Sequence, residues 1–451
     1  MGIADQVSLA LVLLLSLAFG AMATNFSMFV ARKLKALAIP DARSSHQVPT
    51  PRLGGFGYFI PLMVVLGLAL KYSWVLHSVA GGIEPSLLSL FRLTVICGSL
   101  AFVVGLMDDF IPLPPWFKLL GQIVCAALFL YLGSRMVYSV QVGDLLSDDG
   151  HVIKQGQIAV IKGAGFAHVA LTQGLRLDGS WANLAAKTGK YATHIPPLAA
   201  IVTFLWIIIL MNAYNFMDGI DGLAAVFVIT VALGLFAIYV PEAYAPGLPG
   251  LRAHIGVLTG LTALLVGLSL GFLFYNWPPA KTFLGDCGSQ FVGFVLAVVL
   301  AQATRVAGEP PIAKYMNEWQ EFEIELDKRA YVDFLAVLIL VWPFLYDVFY
   351  TMIRRLLHGK AIWRAHHEHL YQRLLELGWS HRAVVLFSLP FYLVHAALFF
   401  AYCWAPNNPA RWSVAAAALA PMIIYTLFVI VSEKRPHRRT GNGQPTMDNG
   451  Q

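Results

Sequence analysis

The sequence predicts an all-α polytopic membrane protein, with about 11 transmembrane helices and a small extracytoplasmic insertion of β-hairpin character. Three observations predict it. Of the 451 residues, 58% are hydrophobic and only 12% are charged, whereas a soluble domain is about 45–50% apolar and about 25% charged. Apolar runs of about 20 residues, the length of a helix that crosses a bilayer, recur along the chain. The loops between them alternate between basic and mixed charge.

The apolar runs fall at roughly 8–30, 54–70, 87–107, 116–134, 196–215, 222–240, 255–275, 288–305, 332–353, 383–404 and 412–432. The first run is preceded by Asp5 and no Lys or Arg, and is followed by Arg32, Lys33 and Lys35. Ala21-Met22-Ala23 resembles a cleavage site, but this charge order reads as a retained span with its start outside. The loops at 31–53 and 354–382 and the tail are then cytoplasmic, and they hold 15 of the 31 Arg and Lys. The outside loop at 306–333 sets Lys314, Lys328 and Arg329 against seven acids, Glu309 to Asp333. An odd number of spans leaves the C-terminus in the cytoplasm, with the cell (inner) membrane as the expected location. The net charge of +6 is a membrane-topology signal, so no nucleic-acid partner is expected.

The chain divides into residues 1–134 (four helices with cytoplasmic motifs), 135–195 (the insertion), 196–432 (seven more helices) and 433–451 (a basic tail). In the insertion, Val137–Val142 and Val152–Ile161 alternate as strands do, with Asp149-Gly150 as the turn signal. Cys97, Cys125, Cys287 and Cys403 have no paired spacing, so neither a disulfide framework nor a zinc signature is expected.

Carboxylates near a bilayer are costly and rarely structural, so the polar residues at five cytoplasmic span ends carry the functional reading. The first motif runs from Asp41 through His46 and Arg52 to Gly54-Gly55. Arg52 and His46 suit a phosphate, and the glycine pair permits close backbone approach. The second is the pair Asp108-Asp109, with Lys118 opening the next span. Adjacent carboxylates repel unless a divalent cation or a basic group sits between them. The third is Asn212, Asn215, Asp218 and Asp221, whose i,i+3 spacings share a helical face. The fourth is Asn276 through Phe283 to Asp286 and Gly288-Ser289, a turn whose free N–H groups at a helix start suit a phosphate. The fifth is Arg364-Ala-His366-His367-Glu368-His369, ending at Arg373. Its histidines lack a cysteine partner and sit among oxygen ligands, which favours phosphate or proton contacts over zinc. Taken singly, these motifs also read as a basic juxtamembrane loop, a polar turn, a capped helix start and a solvated loop. Taken together, they place oxygen ligands and basic groups on one face, the setting for Mg²⁺ holding a diphosphate.

In order and polarity the five motifs, from 41 to 373, resemble the polyprenyl-phosphate N-acetylhexosamine-1-phosphate transferases. His366-x-x-His369-Leu-Tyr-Gln-Arg373-Leu is most similar to the branch that initiates bacterial O-antigen and surface polysaccharides. The resemblance implies an Mg²⁺ cofactor (Mn²⁺ as substitute), a UDP-N-acetylhexosamine donor, a polyprenyl phosphate acceptor such as undecaprenyl phosphate, and release of UMP. It also admits a homodimer. It implies that Asp108 and Asp109 bind or deprotonate the lipid phosphate and that Asn215 and Asp286 hold the metal. Asp221 and Phe283 contact and stack on the uracil. Arg52, Lys118, Asn212, Asp218, Asn276, His366, His369 and Arg373 are the other substrate-binding positions. The rival class is a transporter or ion pathway with a polar cytoplasmic vestibule. It would place ionisable groups near mid-bilayer in two similar halves, and no such repeat is present.

Overall fold

A computed structural model of the chain describes residues 3–40, 48–72, 85–135, 138–140, 145–146, 152–154, 159–161, 197–244, 249–306, 332–361 and 366–434. Asp41, Arg43, His46, Arg364, the tail beyond 434, most of the 135–195 insertion and nearly all of the 306–333 loop lie outside them.

Every apolar run is helical. The helices are α1 (Ile3–Lys33), α2 (Phe56–Lys71), α3 (Pro85–Phe110), α4 (Pro115–Arg135), α5 (Pro197–Met217), α6 (Leu223–Tyr244), α7 (Pro249–Asn276), α8 (Gly285–Val306), α9 (Phe334–Leu357), α10 (Leu370–Glu376), α11 (His381–Cys403), α12 (Asn408–Ala417) and α13 (Leu419–Lys434). Among the described residues nine segments are long and apolar enough to cross a membrane, with α2 and Ile201–Met217 as shorter apolar helices. The run at 412–432 is a span built from two helices, α12 and α13, meeting at Ala418. α1 continues unbroken through the Ala-Met-Ala sequence. Its Leu14 and Leu15 are 63% and 66% exposed, as expected of a helix that faces lipid rather than water.

α8 is the axis of the bundle. Its whole apolar segment is buried, between α3 and α5, while α7 packs against α1 and α6, and α11 against α9 and α6. Burial on all sides explains why α8 is rich in small and β-branched residues, with Val and Ala the most frequent after Ser289. All four cysteines are buried and free. The fold brings two together that the sequence spacing kept apart: Cys125 Sγ donates to the Cys97 carbonyl at 3.1 Å across α3 and α4.

Short antiparallel pairings complete the fold. β1 (Leu37–Ala38) pairs with β2 (Thr50–Pro51) and returns the chain from α1 to Arg52. In the insertion, β3 (Tyr138–Val140) pairs with β6 (Ala159–Ile161), and β4 (Leu145–Leu146) with β5 (Val152–Lys154). Both pairings are antiparallel, and the turn signal Asp149-Gly150 between them lies outside the described residues.

Candidate active site

All five motifs meet at one end of the bundle. The first joins the fourth through the backbone: Phe283 N–H donates to the Pro51 carbonyl at 2.8 Å, and the N–H groups of Gly54 and Gly55 donate to the Phe283 and Leu284 carbonyls at 2.9 and 2.8 Å. Gly54 and Gly55 lie flush against this turn, and a Cβ on either would overlap Phe283 or Gly288. That is the close approach the glycine pair permits. Gly285, at φ +75°, begins α8 in the left-handed region that favours glycine.

The adjacent acids at the end of α3 have different surroundings. Asp109 accepts from the backbone N–H groups of Asp286 (3.0 Å) and Cys287 (2.9 Å), and from Arg52 Nε (3.2 Å). It is a cap on the N-terminus of α8, and its side chain is 1% exposed. Two N–H groups at that helix start, those of Asp286 and Cys287, are therefore taken by a carboxylate just before Gly288 and Ser289. Asp108 turns the other way. It accepts from Leu113 N–H at 2.6 Å and pairs with Lys118 Nζ at 2.5 Å. Lys118 also reaches Asp286 Oδ1 at 3.4 Å. The Asp108 and Asp286 carboxylates lie within hydrogen-bonding reach of each other, an arrangement that demands a proton or a cation.

The third motif enters from α5. Asn215 Nδ2 donates to Asp286 Oδ1 at 2.6 Å and Ser289 Oγ at 2.7 Å. One turn deeper, Asn212 exchanges hydrogen bonds with Gln122, at 2.5 and 3.3 Å, and Gln122 donates to Gln290 at 2.9 Å. This amide layer backs Lys118, Asn215 and Asp286, each one turn away on α4, α5 and α8. Beyond the end of α5, burial and the nearby charges of Asp286, Asp109 and Asp221 push the Asp218 carboxyl well above the ordinary carboxylate range. Asp221 Oδ2 accepts from Ala280 N–H at 3.0 Å, and Oδ1 faces His381 Nδ1 at 3.2 Å. Asn276 is buried, and its amide joins two loops: Oδ1 accepts from Gly222 N–H at 2.8 Å and Nδ2 donates to the Thr282 carbonyl at 2.9 Å. Phe283 is half-buried on the same turn.

The fifth motif docks through Tyr371, whose hydroxyl donates to the Phe216 carbonyl at 2.8 Å. That contact sets the His366 and His369 rings, 5.1 Å apart, beside the end of α5. Burial, with His369 and Arg355 alongside, lowers the His366 imidazole to about 4, so it is neutral at pH 7. His367 is exposed. Glu368 is held ionised by Lys360, Arg355 and Arg354 despite its own partial burial. Arg373 is buried and pairs twice with Glu433 of α13, at 2.6 and 2.5 Å. That gives it an anchoring position rather than an open one. Sequence reading missed His381, Asp347, Gln122 and Gln290. Only Asp347, a carboxylate inside an apolar run, carried a local signal.

Among the described residues no three His, Cys, Asp or Glu side chains form a metal cage. Mg²⁺ does not need one, since it binds through one or two carboxylates plus substrate phosphates. Asp286 with the Asn215 amide, beside Asp108, is an oxygen set of that kind. The Asn215 amide presents its oxygen instead of its NH₂ on a half-turn, because the two orientations are nearly isosteric.

This arrangement defines a membrane-embedded, acid-and-amide site at a bundle end. A family model, glycosyl transferase family 4, matches residues 91–304, which contain the second, third and fourth motifs. The decaprenyl-phosphate N-acetylglucosaminephosphotransferase of Mycobacterium leprae (strain TN) is 28% identical over 385 residues, covering 84% of this chain and 79% of that one. A Bacillus subtilis (strain 168) protein, described as a probable undecaprenyl-phosphate N-acetylglucosaminyl 1-phosphate transferase, is 26% identical over 359 residues, 79% of this chain and 74% of its own. The phospho-N-acetylmuramoyl-pentapeptide-transferase of Arthrobacter sp. (strain FB24) is 28% identical over 272 residues, 57% of this chain and 66% of that one. The family model and these relatives support the resemblance read from the motifs.

Proposed function

We propose that the protein transfers an N-acetylhexosamine-1-phosphate from a UDP-sugar to a polyprenyl phosphate and releases UMP. The observation that carries this reading is the convergence of Asp108, Lys118, Asn215 and Asp286 on one point at a bundle end. The names of the mycobacterial and Bacillus relatives favour N-acetylglucosamine as the sugar and decaprenyl or undecaprenyl phosphate as the acceptor. The product, a lipid diphosphate sugar, would initiate a surface polysaccharide such as O-antigen or a cell-wall polymer. The charge pattern of the loops supports a site on the cytoplasmic side of the cell membrane, with the N-terminus outside and the C-terminus inside.

In this reading Asp286 and Asn215 hold Mg²⁺, with Mn²⁺ as a substitute. The bound ion would neutralise the diphosphate charge that builds up as the phosphoryl group transfers. Lys118 links the metal-side carboxylate to Asp108, which would face the incoming lipid phosphate and take up its proton. Asp109 and Arg52 fix the start of α8 and hence the position of Asp286. Asp221 and Phe283 line the nucleobase end, and Asn276 joins their two loops.

The test is purified protein with undecaprenyl phosphate, a panel of UDP-N-acetylhexosamines and Mg²⁺, reading UMP and lipid product. UMP release that requires both the lipid and the divalent ion, and that falls by orders of magnitude in Asp108→Asn and Asp286→Asn, supports the reading. Near-wild-type release by both folded variants overturns it.

A further inference from the structure

A carboxylate stands inside the apolar run of α9, far along the chain from the acid motifs. Asp347 is 3% exposed, and an ionisable group buried in a membrane helix is retained only where a partner or a function requires it. Its partners come from one place. Oδ1 accepts from Leu370 N–H at 2.9 Å and from the Thr351 hydroxyl at 3.1 Å, and it faces His369 Nδ1 at 3.2 Å. Oδ2 accepts from Tyr371 N–H at 3.4 Å. Three of the four groups belong to the histidine motif, so one carboxylate both seats the start of α10 and grips the imidazole beside it.

The grip decides which nitrogen carries the proton. An oxygen already met by N–H and O–H donors acts as an acceptor toward Nδ1, so Nδ1 carries the hydrogen and Nε2 is the free nitrogen. The ring is buried against Phe216, at a centroid distance of 6.1 Å, and Phe216 is the residue after Asn215. His366 lies 5.1 Å from it on the other side, and Tyr371 stacks at 5.8 Å. Glu368, next in the chain, is committed to Arg354, Arg355 and Lys360, so Asp347 is the carboxylate that faces this ring.

We propose that Asp347 is a positioning residue: it locks His369 in the Nδ1–H form and presents Nε2 to the phosphates of the transfer site. The role rests on the transferase reading above, but the lock itself does not. It is the orienting relation that a buried carboxylate exerts on a reactive histidine in many enzymes.

Asp347→Asn is the informative variant. Its single amide oxygen at the Oδ1 position still accepts from Leu370, so α10 keeps its main seat, while the longer Tyr371 contact and the charge opposite His369 are lost. In ¹⁵N-histidine-labelled full-length protein, with the His369 signals assigned by their loss in His369→Gln, the wild type should show a protonated Nδ1 and a bare Nε2. Asp347→Asn should move that pattern toward the Nε2–H form. UMP release should fall about 10–100-fold in Asp347→Asn, with little change in donor KM. The double variant Asp347→Asn/His369→Gln should be no slower than His369→Gln alone. An unchanged ¹⁵N pattern in Asp347→Asn, or losses that multiply in the double variant, overturns the proposal. A wild type that releases no UMP from any UDP-sugar overturns the transferase reading instead and leaves the ¹⁵N comparison to decide the lock.

Discussion

Asp109 receives the backbone N–H of Asp286 at 3.0 Å, although the two residues are 177 positions apart. The contact ties the end of α3 to the start of α8. A charged acceptor at a helix N-terminus satisfies orphan donors and complements the helix dipole. Asp109 therefore sets where Asp286 stands, whereas Asp286 itself faces Lys118 and Asn215. The two acids should separate experimentally. Asp109→Ala removes the cap and should cost about 1–2 kcal/mol of stability, read as a lower melting temperature in detergent. Asp286→Asn should leave the melting temperature nearly unchanged while turnover collapses. Equal loss of stability in both variants would contradict this division.

Asp218 should be an electrostatic liability in the unliganded protein. Its carboxyl is raised by burial and by Asp286, Asp109 and Asp221. A raised carboxyl binds its proton more tightly folded than unfolded. The folded state is therefore unpenalised below the ordinary carboxylate range and loses stability as pH rises from there toward the raised value. Asp218→Asn removes that loss. Its melting temperature should exceed the wild type's at pH 8 and match it near pH 4. A stabilisation of the same size at both pH values would mean that packing, not charge, is responsible.

The histidine loop should weaken in acid. His366 titrates near 4 in the fold instead of its ordinary 6.5, and Glu368 is lowered by its three cationic partners. Both depressed groups favour folding above their unfolded values and lose that contribution as pH falls through their folded values. For His366 the window is about pH 6.5 down to about 4. Hydrogen exchange at α10 should accelerate across that window in the wild type. In His366→Gln the rise should begin only lower, where Glu368 takes up its proton. An identical profile in His366→Gln would remove His366 from the account.

The helices and the meeting of the five motifs were legible because both depend on local signals, namely run length and polar residues at span ends. The partners were not. Asp109 could not be told from Asp108 by sequence, since they are neighbours and differ only in what α8 brings to each. Arg373 reads locally as a basic residue beside histidines, yet its partner Glu433 comes from α13. Asn276 reads as a ligand contact, yet both halves of its amide are used on backbone groups. Asp347 could have been flagged by the rarity of acids inside apolar runs. His381 could not, because it is an ordinary first-turn residue until α11 packs it against Asp221.

His381 yields the last prediction. It lies 160 residues beyond Asp221, and its Nδ1 faces both the Asp221 backbone N–H and Oδ1 at 3.2 Å. The other Asp221 oxygen takes the Ala280 N–H, so the carboxylate bridges α11 and the turn that carries Phe283. If Asp221 and Phe283 line the nucleobase end, His381 holds the acid at the angle the base requires. His381→Phe keeps a ring of similar width and deletes the polar contact. A hydrogen bond to a charged group is worth about 1.5–3 kcal/mol, which corresponds to roughly a tenfold or greater rise in the KM for the UDP-sugar. The KM for the lipid acceptor should stay within about twofold, because Asp108 and Lys118 do not touch this turn. Measuring both KM values in the same preparation decides the matter. A larger rise for the lipid than for the nucleotide sugar would place the Asp221–His381 pair at the acceptor end and reverse the orientation proposed for the site.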